Sequence, residues 1–241
     1  MKKNWLNFPK QQLKRCLKFF TATLGFRLTR IIMTEQILFL ETPSILLTEE
    51  RERKDIVIGA PHHSVGGVKN LPCVEHPNAD ENSGFIARHI AEALKISSII
   101  ACNYRVDPNK NLRTDYSMQI AQWAPKYLIE IHGHGAKSIS DNLIEITAGS
   151  LTRNDFSQLF ASNLQTKLSS YEELNKYVAL GDFRKLYFQG TKSATITDER
   201  WKPLQIELPP SLRLNPVNNK LPKSASNLTK CLIESITEVC I

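Results

Sequence analysis

The sequence predicts an α/β fold, a central sheet covered by helices on both faces. Two observations carry this reading. Short apolar runs of strand length alternate with segments whose apolar residues recur at helical spacing. Each run also ends in a loop rich in Gly, Pro, His or Asn, and neither internal repeats nor low-complexity tracts interrupt the alternation.

Taken in order, Asp55-Ile-Val-Ile-Gly-Ala60 reads as a buried strand that stops at Pro61, with a loop over 61–79. A helix follows in which Phe85, Ile86, Ile90, Ala93 and Leu94 share a face. Asn78 or Asp80 is the expected cap, and Glu81 stands in the first turn. Residues 96–102 form a second buried strand, 103–113 a polar turn region, and 114–123 a helix. Tyr127-Leu-Ile-Glu-Ile131 is a third strand, broken at His132-Gly-His-Gly135. Further elements are a strand over 143–147, a helix over 154–168, and the strand Leu204-Gln-Ile-Glu-Leu208, which Pro209-Pro210 stops. The last helix starts near Ser226 and aligns Leu228, Leu232 and Ile236.

The net charge of +7 is misleading until it is located. Lys2, Lys3, Lys10, Lys14, Arg15, Lys18, Arg27 and Arg30 fall within residues 1–32, which hold no acid. The remainder carries 23 basic against 24 acidic side chains, so a nucleic-acid partner has no electrostatic footprint there. Residues 1–32 are therefore set apart as a basic N-terminal extension, with the domain expected over 33–241. The extension reads either as an inert addition ahead of Met33 or as a weak membrane-surface contact, which leaves targeting open. Its apolar stretch is too short for a spanning helix, which needs about 20 residues. The cysteines are five, scattered, and form no C-x-x-C pair, so a reduced, cytoplasmic setting is the expectation. Oligomeric state is not readable.

Chemistry-bearing residues cluster where strands end, the usual place for ligands in open α/β sheets. Pro61-His62-His63 follows the first strand, with Glu75, His76, Asp80 and Glu81 beyond it. Glu130-Ile-His132-Gly-His134 closes the third, and Glu207 lies inside the last. Two imidazoles and a carboxylate make a catalytic zinc site with a position left for water. A separate carboxylate beside it can take that water's proton. A carboxylate such as Glu207 in an apolar strand is costly unless paired or metal-linked. His89, inside a helix, reads as structural. No G-x-S-x-G elbow and no Gly-rich phosphate loop occurs.

Ala60-Pro-His62, Asp80-Glu81, Arg105-Val-Asp-Pro-Asn109, Ile129-Glu-Ile-His132 and Leu204-Gln-Ile-Glu207-Leu-Pro, in this order, resemble the N-formylglutamate amidohydrolase family. The resemblance spans about two thirds of the chain. It implies a three-layer αβα sandwich with a mixed, mostly parallel sheet, zinc-carboxypeptidase-like. It further implies one zinc per chain held by His62, Glu81 and His132, with Asp80 the rival of Glu81 and His63 that of His62. By the same resemblance Glu207 is the general base and Arg105 polarises the scissile carbonyl. Asn109 and Lys110 fall at the substrate, a small N-acyl amino acid; Arg113 is the alternative to Lys110, and His134 is an additional candidate outside the family pattern. The family's usual Asp-x-His-Ser is Glu130-Ile-His132-Gly133 here, and its Asn-Arg is Asn109-Lys110. Lysine lacks arginine's planar grip on a carboxylate, which loosens the expectation of a glutamate-like substrate. The competing readings are a peptidase or deacylase of the same fold, and a non-catalytic binding protein that keeps the fold.

Overall fold

The computed structural model describes residues 44–135 and 139–241. The basic extension and the boundary expected at Met33 lie outside the described residues. One mixed sheet organises the rest. Its strands are β1 (Ile45–Glu49), β2 (Arg53–Ser64), β3 (Asp80–Glu81), β4 (Ile96–Cys102), β5 (Tyr127–Gly133), β6 (Leu143–Thr147), β7 (Val178–Leu180) and β8 (Lys202–Leu208). They lie in the order β1-β4-β2-β5-β8-β6-β7, with β3 paired to β2. β2 runs parallel to β3, β4 and β5, and β5 parallel to β8. The pairs β1–β4 and β6–β8 are antiparallel. The expected mixed, mostly parallel sheet is therefore present.

The helices are α1 (Ser83–Leu94), α2 (Asp115–Trp123), α3 (Asn154–Leu168), α4 (Ala194–Thr197), α5 (Pro210–Arg213) and α6 (Ser224–Cys240). α2 covers one face, where Tyr116, Ile120 and Trp123 bury against Val57, Ile99, Ala101 and Leu128 of three adjacent strands. On the other face α1 packs on β2, β4 and β5, α3 packs on β6, and α6 packs on both helices. Burial of this apolar surface is the main stabilising term, about 25 cal/mol per Å² removed from water. Among the described residues no helix is long and apolar enough to cross a membrane.

Two local differences from the sequence reading position the site. β2 does not stop at Pro61 but continues through Ser64 with a bulge between Ala60 and His63. Pro61 is tolerated because register shifts there interrupt the ladder. His62 and His63 are consequently strand residues, directed to opposite faces rather than loosely held in a loop. Nor does Asn78 or Asp80 cap α1. Asp80–Glu81 form the short strand β3, and Asn82 precedes the helix in the left-handed region at φ 63°, with no side-chain cap bond. β1 and β7 carry no long apolar run and leave no mark in the sequence pattern.

Candidate metal centre

β2, β5 and β8 point their C-terminal ends the same way, and β3 lies alongside β2. His62 Nδ1, Asp80 Oδ2 and an imidazole nitrogen of His132 converge there, all within 4.8 Å of one another. Asp80 Oδ2 stands 3.5 Å from His62 Nδ1 and 3.3 Å from His132 Nδ1. Tetrahedral zinc with ligands at about 2.1 Å places ligand atoms about 3.4 Å apart, so these spacings suit it. His62 Nδ1 and Asp80 Oδ2 are buried and make no hydrogen bond. Buried polar atoms held only by ion pairing among themselves, without a hydrogen bond, are costly unless something else binds them.

Each imidazole is oriented by a carboxylate on its far nitrogen. His62 Nε2 lies 3.0 Å from Asp107 Oδ1, and His132 Nε2 lies 3.2 Å from Glu130 Oε2. Such partners fix ring direction and leave Nδ1 for a metal. Asp107 is pinned in turn by Lys110 Nζ at 2.8 Å. Glu130 is wholly buried and accepts four bonds: from Tyr116 Oη and Thr195 Oγ1 on one oxygen, and from Asn109 Nδ2 and His132 Nε2 on the other. Gly59 makes room for this, since a Cβ there would lie 2.1 Å from Tyr116 Oη.

The electrostatics follow from burial among these partners. Burial alone would raise the Asp80 carboxyl, but the imidazoles of His132 and His62 hold it far below the usual carboxylate range. Burial would lower His132, yet Asp80 and Glu130 raise it well above an ordinary histidine. Glu207 stands opposite His132 in the β5–β8 register, and burial raises it to about 7 against the pull of His132. Gln205 Nε2 donates to Glu207 Oε1 at 2.7 Å.

A cavity of about 880 Å³ opens over this cluster. His62, Asp80, His132, Asn109, Lys110, His134, Glu81 and Glu207 all line it, as do Lys69, Lys192, Tyr187 and Phe188. The structure brings Asp80, not Glu81, to the two histidines. Successive strand residues face opposite ways, and Glu81 Oε1 instead accepts from the Gly67 backbone at 2.7 Å. His63 also faces away: its Nδ1 accepts from the Gly84 backbone at 3.1 Å, and burial lowers its pKa to about 4.

Arg105 is exposed and lines no part of this cavity. The turn directs Asp107 and Asn109 inward in its place. Arg113 borders a separate surface pocket with Lys110. Asn109 spends its amide on Glu130, and His134 Nε2 lies 2.8 Å from the Leu143 carbonyl while its ring stacks on Phe188. Sequence reasoning passed over Asp107, Tyr187, Phe188 and Arg213. Asp107 was legible as an acid within the Arg105–Asn109 motif. Arg213 had only the preceding Pro-Pro break to mark it, and the aromatic pair had no signal.

No family model and no curated protein matches the sequence. Solved structures do match. The chain is similar to YNDL in its zinc-free apo form, at TM-score 0.57 and 14% identity over 86% of this chain and 97% of that one. It is also similar to a bacteriophage poly-gamma-glutamate hydrolase, at TM-score 0.51 and 13% identity over 82% of this chain and 90% of that one. N-formylglutamate amidohydrolase from Ralstonia eutropha JMP134 shows TM-score 0.47 and 13% identity over 82% of this chain and 96% of that one. At these identities the first two likenesses show the fold alone, and the third, at its TM-score, adds nothing to them. The N-formylglutamate amidohydrolase family is accordingly not established for this chain.

Proposed function

We propose that this chain is a zinc-dependent hydrolase of amides. The observation that carries the reading is the convergence of two buried atoms that make no hydrogen bond, His62 Nδ1 and Asp80 Oδ2, with His132, beside the buried carboxylate of Glu207. His62, Asp80 and His132 would hold the ion. Zinc at such a site supplies Lewis acidity, lowering the pKa of water to about 7 and polarising a carbonyl. Glu207 accepts the proton of the attacking water and returns it to the departing amine. Asp107 and Glu130 keep both imidazoles aimed. Lys110, the candidate carboxylate holder, is already ion-paired with Asp107, which supports a substrate less strictly glutamate-like.

The proposed substrate is a small N-acyl amino acid, N-formylglutamate being the first to try. A second reading is supported by the cavity, whose 880 Å³ lies toward the upper end of the roughly 300–1,000 Å³ typical of ligand sites. Lys69 and Lys192 line it as well, so a longer, anionic amide also fits, and the bacteriophage poly-gamma-glutamate hydrolase bears a name consistent with that class.

The test is metal content of the purified protein beside His132→Ala, followed by a panel of N-acyl amino acids and short glutamyl peptides. About one zinc per chain, lost in the variant, supports the reading, and the panel then chooses between short and long substrates. Absence of metal in wild type, even after zinc is added, discards it in favour of a non-catalytic binding protein.

A further inference from the structure

Arg213 ends α5, the single turn by which Pro209-Pro210 folds the chain back over the site, and it is 4% exposed. Its guanidinium makes three bonds, all to backbone carbonyls. Nε donates to Leu208 O at 3.0 Å, Nη1 to Glu81 O at 2.7 Å, and Nη2 to His134 O at 3.1 Å. Leu208 directly follows Glu207, Glu81 directly follows Asp80, and His134 lies two residues beyond His132. One planar group thus ties the ends of β8, β3 and β5, the strands that present the base and two of the three proposed ligands.

Two further observations tie the chain to this arrangement. A Cβ at Gly133 would lie 2.1 Å from Arg213 Cζ and 2.4 Å from Nε and Nη2. The guanidinium is therefore laid against the backbone next to His132, in space that only glycine leaves open. Asn82, immediately after Glu81, donates from Nδ2 to the carbonyl of Arg213 at 2.8 Å, so the residue is held by its main chain as well. Three acceptors in divergent directions suit the rigid fork of arginine and not the single ammonium of lysine. No carboxylate bonds the guanidinium directly, but Asp80, Glu207 and Glu81 attract it at longer range and offset part of the cost of burying its charge. Its geometry is spent on the three carbonyls.

We propose that Arg213 is a positioning residue that sets the spacing of Asp80, His132 and Glu207, with Gly133 as the gap that admits it. The ligand part of this inference rests on the metal centre proposed above.

The experiment compares Arg213→Lys, Gly133→Ala and the double variant in the full chain. Zinc affinity is read by competition with a chromophoric chelator, coordination by the visible spectrum of the Co²⁺-loaded protein, and stability by thermal unfolding of the metal-free protein. Each single variant is expected to weaken zinc binding about 10- to 100-fold, the range for lost outer-shell partners, and to change the cobalt spectrum. The double variant is expected to be no worse than the poorer single, because both changes remove one interaction. Unchanged affinity and spectrum in both singles, fully additive losses, or loss of the fold in both would overturn the positioning role. If wild type binds neither ion, the metal reading fails on its own. The brace is then judged by hydrogen exchange in metal-free protein, where equal protection of the β3, β5 and β8 ends in wild type and variants would overturn it.

Discussion

His132 and Glu207 are direct register partners on the parallel strands β5 and β8, as are Glu130 and Gln205 two residues earlier. With a period of two, all four side chains share one face of the sheet. The histidine and the carboxylate are thus held by the ladder itself and not by loops, which is the more exact way to place a site.

Replacing Glu207 with Gln keeps the shape of the side chain and removes its ability to take a proton. Zinc content should stay near one per chain while turnover of the best substrate falls about 10²- to 10⁴-fold. Metal analysis and steady-state kinetics on the same preparation check this. Near-normal turnover would remove Glu207 from the chemistry.

Glu130→Gln removes the buried carboxylate charge, leaves one oxygen for Asn109 and His132, and obliges the Tyr116 and Thr195 hydroxyls to turn and accept from the new amide. The expected result is zinc binding weakened about 10- to 100-fold and a stability loss of about 1–3 kcal/mol. Chelator competition and denaturant unfolding measure the two separately. A variant as stable and as tight as wild type would mean that the network does not orient His132.

Much of this arrangement was legible beforehand. The apolar runs gave β2, β4, β5, β6 and β8, because strands buried on both faces read as continuous hydrophobic stretches. His62, His132 and Glu207 stood out as polar residues where such runs end. What remained hidden depended on the third dimension. Choosing Asp80 over Glu81 requires knowing that the pair forms a strand and not a first helical turn. The inward role of Asp107 and the outward direction of Arg105 depend on how a polar turn coils. Arg213 reaches the site across residues distant in sequence, which no local pattern encodes.

Ions that bind only the folded state stabilise it by mass action. Saturating zinc should raise the unfolding midpoint of chelator-treated protein, with a gain of about 4 kcal/mol when free zinc is a thousandfold above its dissociation constant. Asp80→Ala should abolish the gain. A midpoint indifferent to zinc in wild type would count against the site.

The thiols offer an independent check of burial. Cys102 and Cys240 are pushed up to about 12 and Cys231 to about 11, in each case chiefly by burial. At pH 8 an ordinary thiol, with pKa about 8.5, is roughly one quarter thiolate, the form that reacts. Brief alkylation of folded protein at that pH should leave the peptides carrying these three unmodified, while unfolded protein is labelled throughout. Mass spectrometry reads the outcome, and rapid labelling of any of the three in folded protein would contradict its burial.

Only Asn82 separates the strand that carries Asp80 from the twelve-residue helix α1, and its left-handed backbone makes the junction a sharp corner. The carboxylate accordingly has no slack. Any ligand that pulled on it would have to drag a helix seated on three strands. Elsewhere in the cavity lining, Tyr187 and Phe188 are held by their backbone amides, which donate to the buried Glu145 carboxylate. Both parts of the lining are thus anchored through the main chain, the acid by a corner and the aromatic pair by a buried carboxylate.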